Sequence, residues 1–502
     1  MNAHSPVSRA RHSTSIAKQR NLCLLIISPV VCRGVLSYMA VEIQPEPVAG
    51  DSVLRRELGI WDASSLVVGT VIGAGIFLVP SIMARRLPSD AGILAVWVVG
   101  GILSLFGALA YGELGAMFPR TGGQYIFLRE AFGKPLAFLC GWALFLVVMP
   151  GQIAALAIGF ATYLGTFITL GTAGERGVAV GLIALLTLVN YRGLRFGTAV
   201  QNSLTALKLA GIAVLVLAAF LSHRPNQLHF AATRADFAPR SFGLALAVAL
   251  VAYDGWNNLS FVNGEIRNPG RTIPKALGLG VAFCGAVYVL VTAAYLRVLP
   301  LGAVAASSHV GTDAAQILLG RSGTLFLTCA ILCSILGSTN GNVLAAPRLY
   351  FAQARDGLFF ARFRTVHPRF GTPSFSILVQ GVWASLLALT GSYERVITYA
   401  IFCAWFFYLC VVVGLMVLRW RRPFYPRPYS LWGYPYTALV FVVVTVWFLV
   451  NSLVANPVPS VTGLIILVAG LPVYYFWQSR TGATQAAPTE ARVLESLSGD
   501  ES

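Results

Sequence analysis

Charged residues are scarce in this sequence of 502 residues. Lys, Arg, Asp and Glu make up 11% of the chain, whereas apolar residues make up 57%. A soluble globular protein has about 25% charged residues, because its surface must interact with water. The scarcity of charge therefore excludes a cytosolic enzyme, a disordered chain and a secreted disulfide-stabilised domain. It leaves a polytopic membrane protein.

Paired cysteines and histidines within apolar segments are also missing. None of the eight cysteines forms a Cys-x-x-Cys pair. Cys329 and Cys333 share one helix face, where a metal half-site is the alternative to apolar packing; no His or acid lies near them, which favours packing. The apolar segments lack nucleophile–base and carboxylate pairs as well. We therefore expect no catalytic residue, no metal and no cofactor, and so not an enzyme.

Long apolar segments are abundant, and each is long enough to cross about 30 Å of hydrocarbon as a helix. They lack the alternation of apolar and polar residues that is typical of barrel strands. The sequence thus predicts an all-α polytopic membrane protein with twelve transmembrane helices, at residues 60–84, 91–117, 135–167, 177–194, 200–222, 241–264, 275–299, 323–347, 373–391, 396–419, 434–454 and 459–478.

The net charge of +17 raises the alternative of a nucleic-acid-binding protein. With a cytoplasmic N-terminus, however, the inner loops hold about twice as many Lys and Arg residues as the outer loops, as the positive-inside rule requires. We expect a multi-pass protein of the cell's inner (plasma) membrane, without a nucleic-acid partner. Both tails, 1–57 and 480–502, are predicted to be cytoplasmic, with Met39 as an alternative start of translation.

Two charged residues lie well inside predicted spans, away from the span ends, and a charge at such a position is costly. Lys208 is in the fifth span and Asp254 is in the sixth. Glu113, near the inner end of the second span, is expected to pair with an inner-loop arginine.

Poor helix formers interrupt spans one and six. Span one contains Gly69, Gly73 and Gly75, which close helix packing would also explain. Span six contains Asp254 and Gly255 followed by two asparagines, a combination that favours backbone lining a wet cavity. Two interrupted helices in corresponding halves of a chain indicate a transporter site near the bilayer midplane.

The motifs at these interruptions are specific. Gly69-Thr70-Val71-Ile72-Gly73-Ala74-Gly75-Ile76-Phe77 resembles the first-helix motif of the amino acid–polyamine–organocation (APC) superfamily. Ala252-Tyr253-Asp254-Gly255-Trp256-Asn257-Asn258, followed by Glu265-Ile266-Arg267-Asn268-Pro269, resembles the sixth helix of its L-type amino acid transporter branch. The resemblance implies a LeuT-like 5+5 inverted repeat with helices one and six broken. The repeats would be 58–222 and 223–419, with the last two helices in 420–479.

The resemblance also implies a substrate site. The amino acid's carboxylate would bind the N–H groups of Gly73, Ala74 and Gly75. Its ammonium would bind carbonyls of the stretches 70–71 and 251–254, which supply Thr70, Val71, Val251, Ala252 and Asp254. Asn257 matches a position near the substrate, and Val251 stands where many relatives have an aromatic gate. Gln152, Thr339 and Ala404 are candidates for contacts with the substrate's side chain.

Lys208 matches a lysine of the sodium-independent members of the family. The resemblance implies that its ammonium replaces a sodium ion by reaching the Gly69 carbonyl and the Ser338 hydroxyl. Pairing with a carboxylate or snorkelling to the interface are the alternatives. Asp254 is expected either to bind the substrate's ammonium or to cap the helix break, and the polar segment 337–342 to pack closely against helix one.

These expectations together predict alternating-access transport, with sodium-independent exchange of neutral L-amino acids as the favoured mode. Proton-coupled uptake through Lys208, a cationic amino acid or polyamine carrier, and a non-transporting sensor are the alternatives. The expected partners are an amino acid and membrane lipid. The loop between spans three and four (168–177) has no cysteine, so no disulfide-linked heavy subunit is expected.

Overall fold

The computed structural model describes residues 54–165, 167–230, 238–390 and 393–498. Most of the predicted N-terminal tail, with Met39, lies outside the described residues. The described backbone is helical, apart from loops, turns and one isolated parallel bridge between Leu58 and Ile266.

The helices of the first half are α1 (Ile60–Val71), α2 (Gly75–Ala84), α3 (Asp90–Met117), α4 (Gln124–Phe132), α5 (Lys134–Ala143), α6 (Met149–Leu164), α7 (Thr172–Tyr191) and α8 (Leu194–Leu221). Those of the second half are α9 (Pro239–Ala252), α10 (Asn258–Phe261), α11 (Pro269–Val298), α12 (Leu301–Ala306), α13 (Val310–Ala345), α14 (Pro347–Arg355), α15 (Ser374–Thr390), α16 (Tyr393–Arg421), α17 (Tyr436–Ala455) and α18 (Pro457–Ser498). A π-helical segment, Leu144–Val148, joins α5 to α6.

Among the described residues, nine helices are long and apolar enough to cross a membrane. The pair α1 and α2 forms a tenth candidate span with a bend of 42° at its break. The shorter apolar helices α9 and α15 stand where the sixth and ninth spans are predicted. The prediction of an all-α, multi-pass membrane fold is confirmed, while the count of twelve crossings stays a prediction.

The fifth span differs from its predicted bounds of 200–222, because α8 begins at Leu194. Its first turns contain Thr198, Gln201 and Asn202. These polar residues lower the local hydropathy, so hydropathy alone predicts a later start for the span. Inside the protein Thr198 and Gln201 are buried, and the Thr198 hydroxyl donates to the Leu194 carbonyl (2.9 Å). The earlier start places Lys208 at the middle of the helix, about 20 Å from either end at 1.5 Å per residue.

Both predicted interruptions coincide with breaks in the helices. The first lies between α1 and α2, and the second lies between α9 and α10. At the second break Gly255 has φ +114°, and a Cβ there would lie 3.1 Å from the Thr70 carbonyl oxygen, so both the backbone angle and the close approach require glycine.

The two broken segments run antiparallel, because α9 packs against α2 while α10 packs against α1. Their breaks therefore lie side by side. The inverted repeat and its bounds, 58–222 and 223–419, stay predictions.

Two buried ion pairs lie near the chain segments predicted to face the cytoplasm. Glu113 is fully buried, and its Oε2 lies 2.6 Å from Arg419 Nη2, which confirms the predicted arginine partner. Arg348 Nε lies 2.8 Å from Glu265 Oε1, with both side chains 1% exposed. The Glu265 carbonyl also accepts the N–H groups of Glu57 and Leu58, so the segment preceding α1 is tied to the loop after α10.

Candidate substrate and coupling site

Lys208 is fully buried, and backbone oxygens surround its ammonium. Nζ donates to the carbonyls of Gly69 (2.8 Å), Ile72 (2.8 Å) and Ser334 (3.1 Å). Gly69 belongs to α1, and Ile72 lies in the break after it, where helix geometry leaves carbonyls without a partner. The ammonium therefore stabilises the open carboxyl-terminal end of α1 and connects α8 to α1 and α13. Neither snorkelling nor pairing with a carboxylate describes this arrangement.

Two serines of α13 complete the contacts around Lys208. The Ser338 hydroxyl donates to the Gly69 carbonyl (3.0 Å), and the Ser334 hydroxyl donates to the Ile72 carbonyl (2.9 Å). Ser338 thus shares an acceptor with Lys208, whereas the resemblance implied that the ammonium reaches the Ser338 hydroxyl itself. The third acceptor of the ammonium is the Ser334 carbonyl, one helical turn away.

Small residues allow these helices to approach closely. A Cβ at Gly337 would lie 3.1 Å from Lys208 Nζ, and a Cβ at Gly69 would overlap the Gln201 amide. A Cβ at Gly341 would overlap the Thr70 side chain of α1. The expectation that the polar segment of α13 packs closely against helix one therefore holds at Gly341.

The carboxyl-terminal ends of α1 and α9 meet at one tyrosine. The Tyr288 hydroxyl of α11 lies 2.7 Å from the Val71 carbonyl oxygen and 2.8 Å from that of Ala252. A hydroxyl has one hydrogen, so it can serve only one of these two acceptors at a time. Both carbonyls belong to the stretches that the resemblance assigns to the ammonium, and the partial negative charge of two helix ends favours a cation there.

On the opposite side of the first break the three predicted N–H donors differ. The N–H of Gly73 donates to the Val71 carbonyl (2.9 Å), so it is engaged within the break. Gly75 begins α2, and the first N–H groups of a helix have no acceptor within it. Ala74 is the N-cap residue of α2. The amino-terminal end of α2 is therefore the part of the break suited to a carboxylate.

Asp254 lies at the second break with three neutral donors around it. It accepts the Gly255 N–H (2.9 Å), the Tyr408 hydroxyl (2.6 Å) and the Gln152 amide (3.2 Å). The Gly255 bond is the expected capping contact. Among the described ion pairs, however, none includes Asp254, so no basic side chain neutralises this carboxylate.

The remaining candidates surround the breaks less directly. Asn257 is buried in the second break, just before α10, and Val251 is half-buried at the end of α9. Thr70 ties the breaks together, since its hydroxyl lies 3.0 Å from the Gly255 carbonyl oxygen. The Thr339 hydroxyl donates to the Ile335 carbonyl within its own helix, and Ala404 is buried.

The comparison with protein families agrees with this geometry. A family model described as amino acid permease matches residues 58–476, which is most of the chain. The protein belongs to this family. It is a membrane transporter and not an enzyme, as the sequence predicts. The match begins just before α1 and ends within α18, so both broken helices and all contacts of Lys208 lie inside the permease region.

Curated relatives cover nearly the whole permease. It is 32% identical over 433 residues to the serine/threonine exchanger SteT of Bacillus subtilis, covering 86% of this chain and 98% of the relative. It is 31% identical to the human large neutral amino acids transporter small subunit 2 over 445 residues, covering 86% and 82%. It is 29% identical to the human b(0,+)-type amino acid transporter 1 over 432 residues, covering 84% and 88%.

Sequence inspection missed three residues that the permease places in this region: Ser334, Tyr288 and Tyr408, whose hydroxyl donates to Asp254. Ser334 precedes Ser338 by four positions, a spacing that puts both on one helix face and could have identified it. Tyr288 lies in a long apolar span without any local motif. Only the packing of α11 against α1 and α3 brings its hydroxyl to the two breaks.

Proposed function

We propose that this permease exchanges neutral L-amino acids across the plasma membrane by alternating access and without sodium. The central observation is the ammonium of Lys208 at the carboxyl-terminal end of α1. A fixed cation there supplies the positive charge that a bound sodium ion would otherwise supply. The relative named a serine/threonine exchanger supports exchange as the mode of transport.

The proposed substrate binds through its backbone groups. Its carboxylate binds the amino-terminal end of α2 at Ala74 and Gly75, where the helix dipole favours an anion. Its ammonium binds the carbonyls of Val71 and Ala252: the single hydrogen of the Tyr288 hydroxyl serves only one of them at a time, and the Val71 carbonyl, which also accepts the Gly73 N–H, has two lone pairs. Because an ammonium has three donors, it can serve both carbonyls together.

The orientation and partners follow the sequence expectations. We propose that both termini are cytoplasmic, because this orientation places the arginine-rich loops on the cytoplasmic side. We also propose that the permease works without a disulfide-linked subunit, since residues 168–177 contain no cysteine.

The test uses purified permease in liposomes with radiolabelled serine outside. Internal unlabelled serine, a sodium gradient and a proton gradient are each imposed separately. Uptake that requires internal amino acid and ignores sodium would support the proposal. Uptake driven by sodium alone would contradict it, whereas uptake driven by a proton gradient into empty liposomes would establish proton coupling in its place.

A second candidate function is transport of cationic amino acids, and Asp254 favours it. A buried carboxylate whose described partners are all neutral donors is available to attract a cationic side chain. If the permease accepts such substrates, Asp254→Asn should lower exchange of radiolabelled arginine far more than exchange of serine. Gln152→Glu, which adds a negative charge beside Asp254, serves as the reciprocal variant. Equal losses for both substrates would assign Asp254 to the helix break alone.

A further inference from the structure

An apolar groove of about 480 Å³ lies on the outer surface between α3 and α11. Gly101 of α3 and Ala282, Gly285 and Ala286 of α11 form its trough. Val98 and Leu290 stand on its two sides, with 48% and 50% of their surfaces exposed. The groove is thus a slot between two helices, created by small residues between large ones.

The position of the groove determines what surrounds it. Gly101 lies near the middle of α3, and Gly285 lies near the middle of α11; both helices are long and apolar enough to span the membrane. The middle of such a helix lies in the hydrocarbon core. Exposed side chains there contact acyl chains and not water.

The floor of the groove is the ring of Tyr253. Its hydroxyl donates to the Trp97 carbonyl (2.9 Å), so the polar atom is satisfied and the floor is apolar. A Cβ at Gly101 would lie 2.9 Å from this hydroxyl oxygen, and one at Gly285 would lie 3.3 Å from it. Tyr253 itself is fully buried, so the small residues of the trough form the exposed surface above its ring.

We propose that this groove is a binding site for one acyl chain of a membrane phospholipid. Its volume is well above the roughly 150 Å³ of a closed cavity that holds benzene, so this open groove has room for a segment of hydrocarbon chain. A transmembrane helix is the other occupant to consider, since small residues favour helix packing in lipid. A helix is about 10 Å across, so about one turn of it would take up the whole volume of the groove. A flexible acyl chain can instead extend along the slot, and it therefore fits better.

The groove lies close to the broken helices. The Tyr253 ring is 4.9 Å from the ring of Tyr288, whose hydroxyl contacts the Val71 and Ala252 carbonyls. An acyl chain in the groove therefore packs against one side of an aromatic layer whose other side faces the candidate substrate site. Filling the slot adds dispersion contacts for the exposed side chains that line it, such as Val98 and Leu290.

The experiment uses full-length permease in liposomes that contain phosphatidylcholine with a diazirine on one straight acyl chain. After irradiation, labelled peptides are identified by mass spectrometry. We expect label concentrated on the central parts of α3 and α11. Excess unlabelled straight-chain phosphatidylcholine should remove this label, whereas diphytanoyl phosphatidylcholine should not, because its methyl branches do not fit the slot.

Two variants provide the matched comparison. Ala286→Leu places a branched side chain in the trough and should abolish the concentrated label. Ala213→Leu makes the same change on the exposed face of α8, outside the groove, and should leave it intact. Label spread evenly over all exposed spans, or label unaffected by Ala286→Leu, would overturn the proposal. Cross-links between two copies of the chain at α3 and α11 would also overturn it and would identify a second copy as the occupant.

Discussion

Replacing Lys208 by methionine removes the buried ammonium while keeping a side chain of similar length. Hydrogen bonds from charged groups contribute about 1.5–3 kcal/mol each. Two of the three acceptors, the Gly69 and Ile72 carbonyls, retain a serine hydroxyl as donor. The net loss is therefore close to one charge-assisted bond, about 1.5–3 kcal/mol, which corresponds to a roughly 10- to 150-fold lower exchange rate if the bond holds α1 in its working position.

The same substitution should change the stability of the fold much less. Burial of an ammonium is costly, and replacing a buried charge by an apolar side chain is often neutral. We expect Lys208→Met to lower serine counterflow in liposomes while the melting temperature of the purified protein stays close to that of the unmodified permease. Lys275→Met is the control, since Lys275 is exposed near the start of α11.

One result would refute the reasoning. If Lys208→Met exchanged serine at the unmodified rate, the ammonium would have no part in the transport cycle. If the variant lost stability and transport in proportion, Lys208 would be a structural residue only.

Three further substitutions test other contacts. Tyr288→Phe removes the hydroxyl between the two helix ends. It should lower kcat/KM for serine, measured by counterflow, by about tenfold, which is the effect of one buried hydrogen bond. An unchanged value would exclude this tyrosine from the site. Gly69→Ala should lower the melting temperature, since overpacking costs about 1–3 kcal/mol. Gly159→Ala is the control and should not lower it, because a Cβ there meets nothing within 4 Å. Equal effects of the two variants would contradict the close-packing explanation. Glu265→Gln leaves the buried Arg348 without a counter-charge. It should lower the free energy of unfolding, measured by denaturant titration, by about 3–5 kcal/mol. A loss below about 1 kcal/mol would show that water reaches the pair.

Much of the architecture followed from local sequence. Apolar segments of membrane-spanning length identified the fold class, because a chain in hydrocarbon must satisfy its backbone within helices. The breaks were also visible, since glycines in the first span and Asp254 with Gly255 in the sixth disfavour a continuous helix. The start of α8 was not visible, because Thr198 and Gln201 are polar residues that the fold buries.

At the candidate site, the sequence identified residues that the structure places at the two breaks, but it did not predict most of their hydrogen bonds. The backbone motif around Gly73 lies at the break between α1 and α2, where the Gly73 N–H donates to the Val71 carbonyl; its role in binding the substrate stays a prediction. Lys208 was identified because charges inside apolar spans are energetically costly and therefore rare, so a lysine there indicates a specific role. Its acceptors, apart from Gly69, were not foreseen, since a lysine's sequence neighbours do not reveal which helix ends it meets.

The sequence by itself determined that the chain is a membrane protein with interrupted helices and a buried lysine, because these properties depend on composition and on the conformational preferences of neighbouring residues. Only the tertiary structure decided which groups meet. It brought Lys208 to the end of α1 and Tyr288 to both breaks, and it left a slot between α3 and α11. Most of these contacts join residues more than a hundred positions apart, and they depend on how helices pack and not on the order of residues along any one of them.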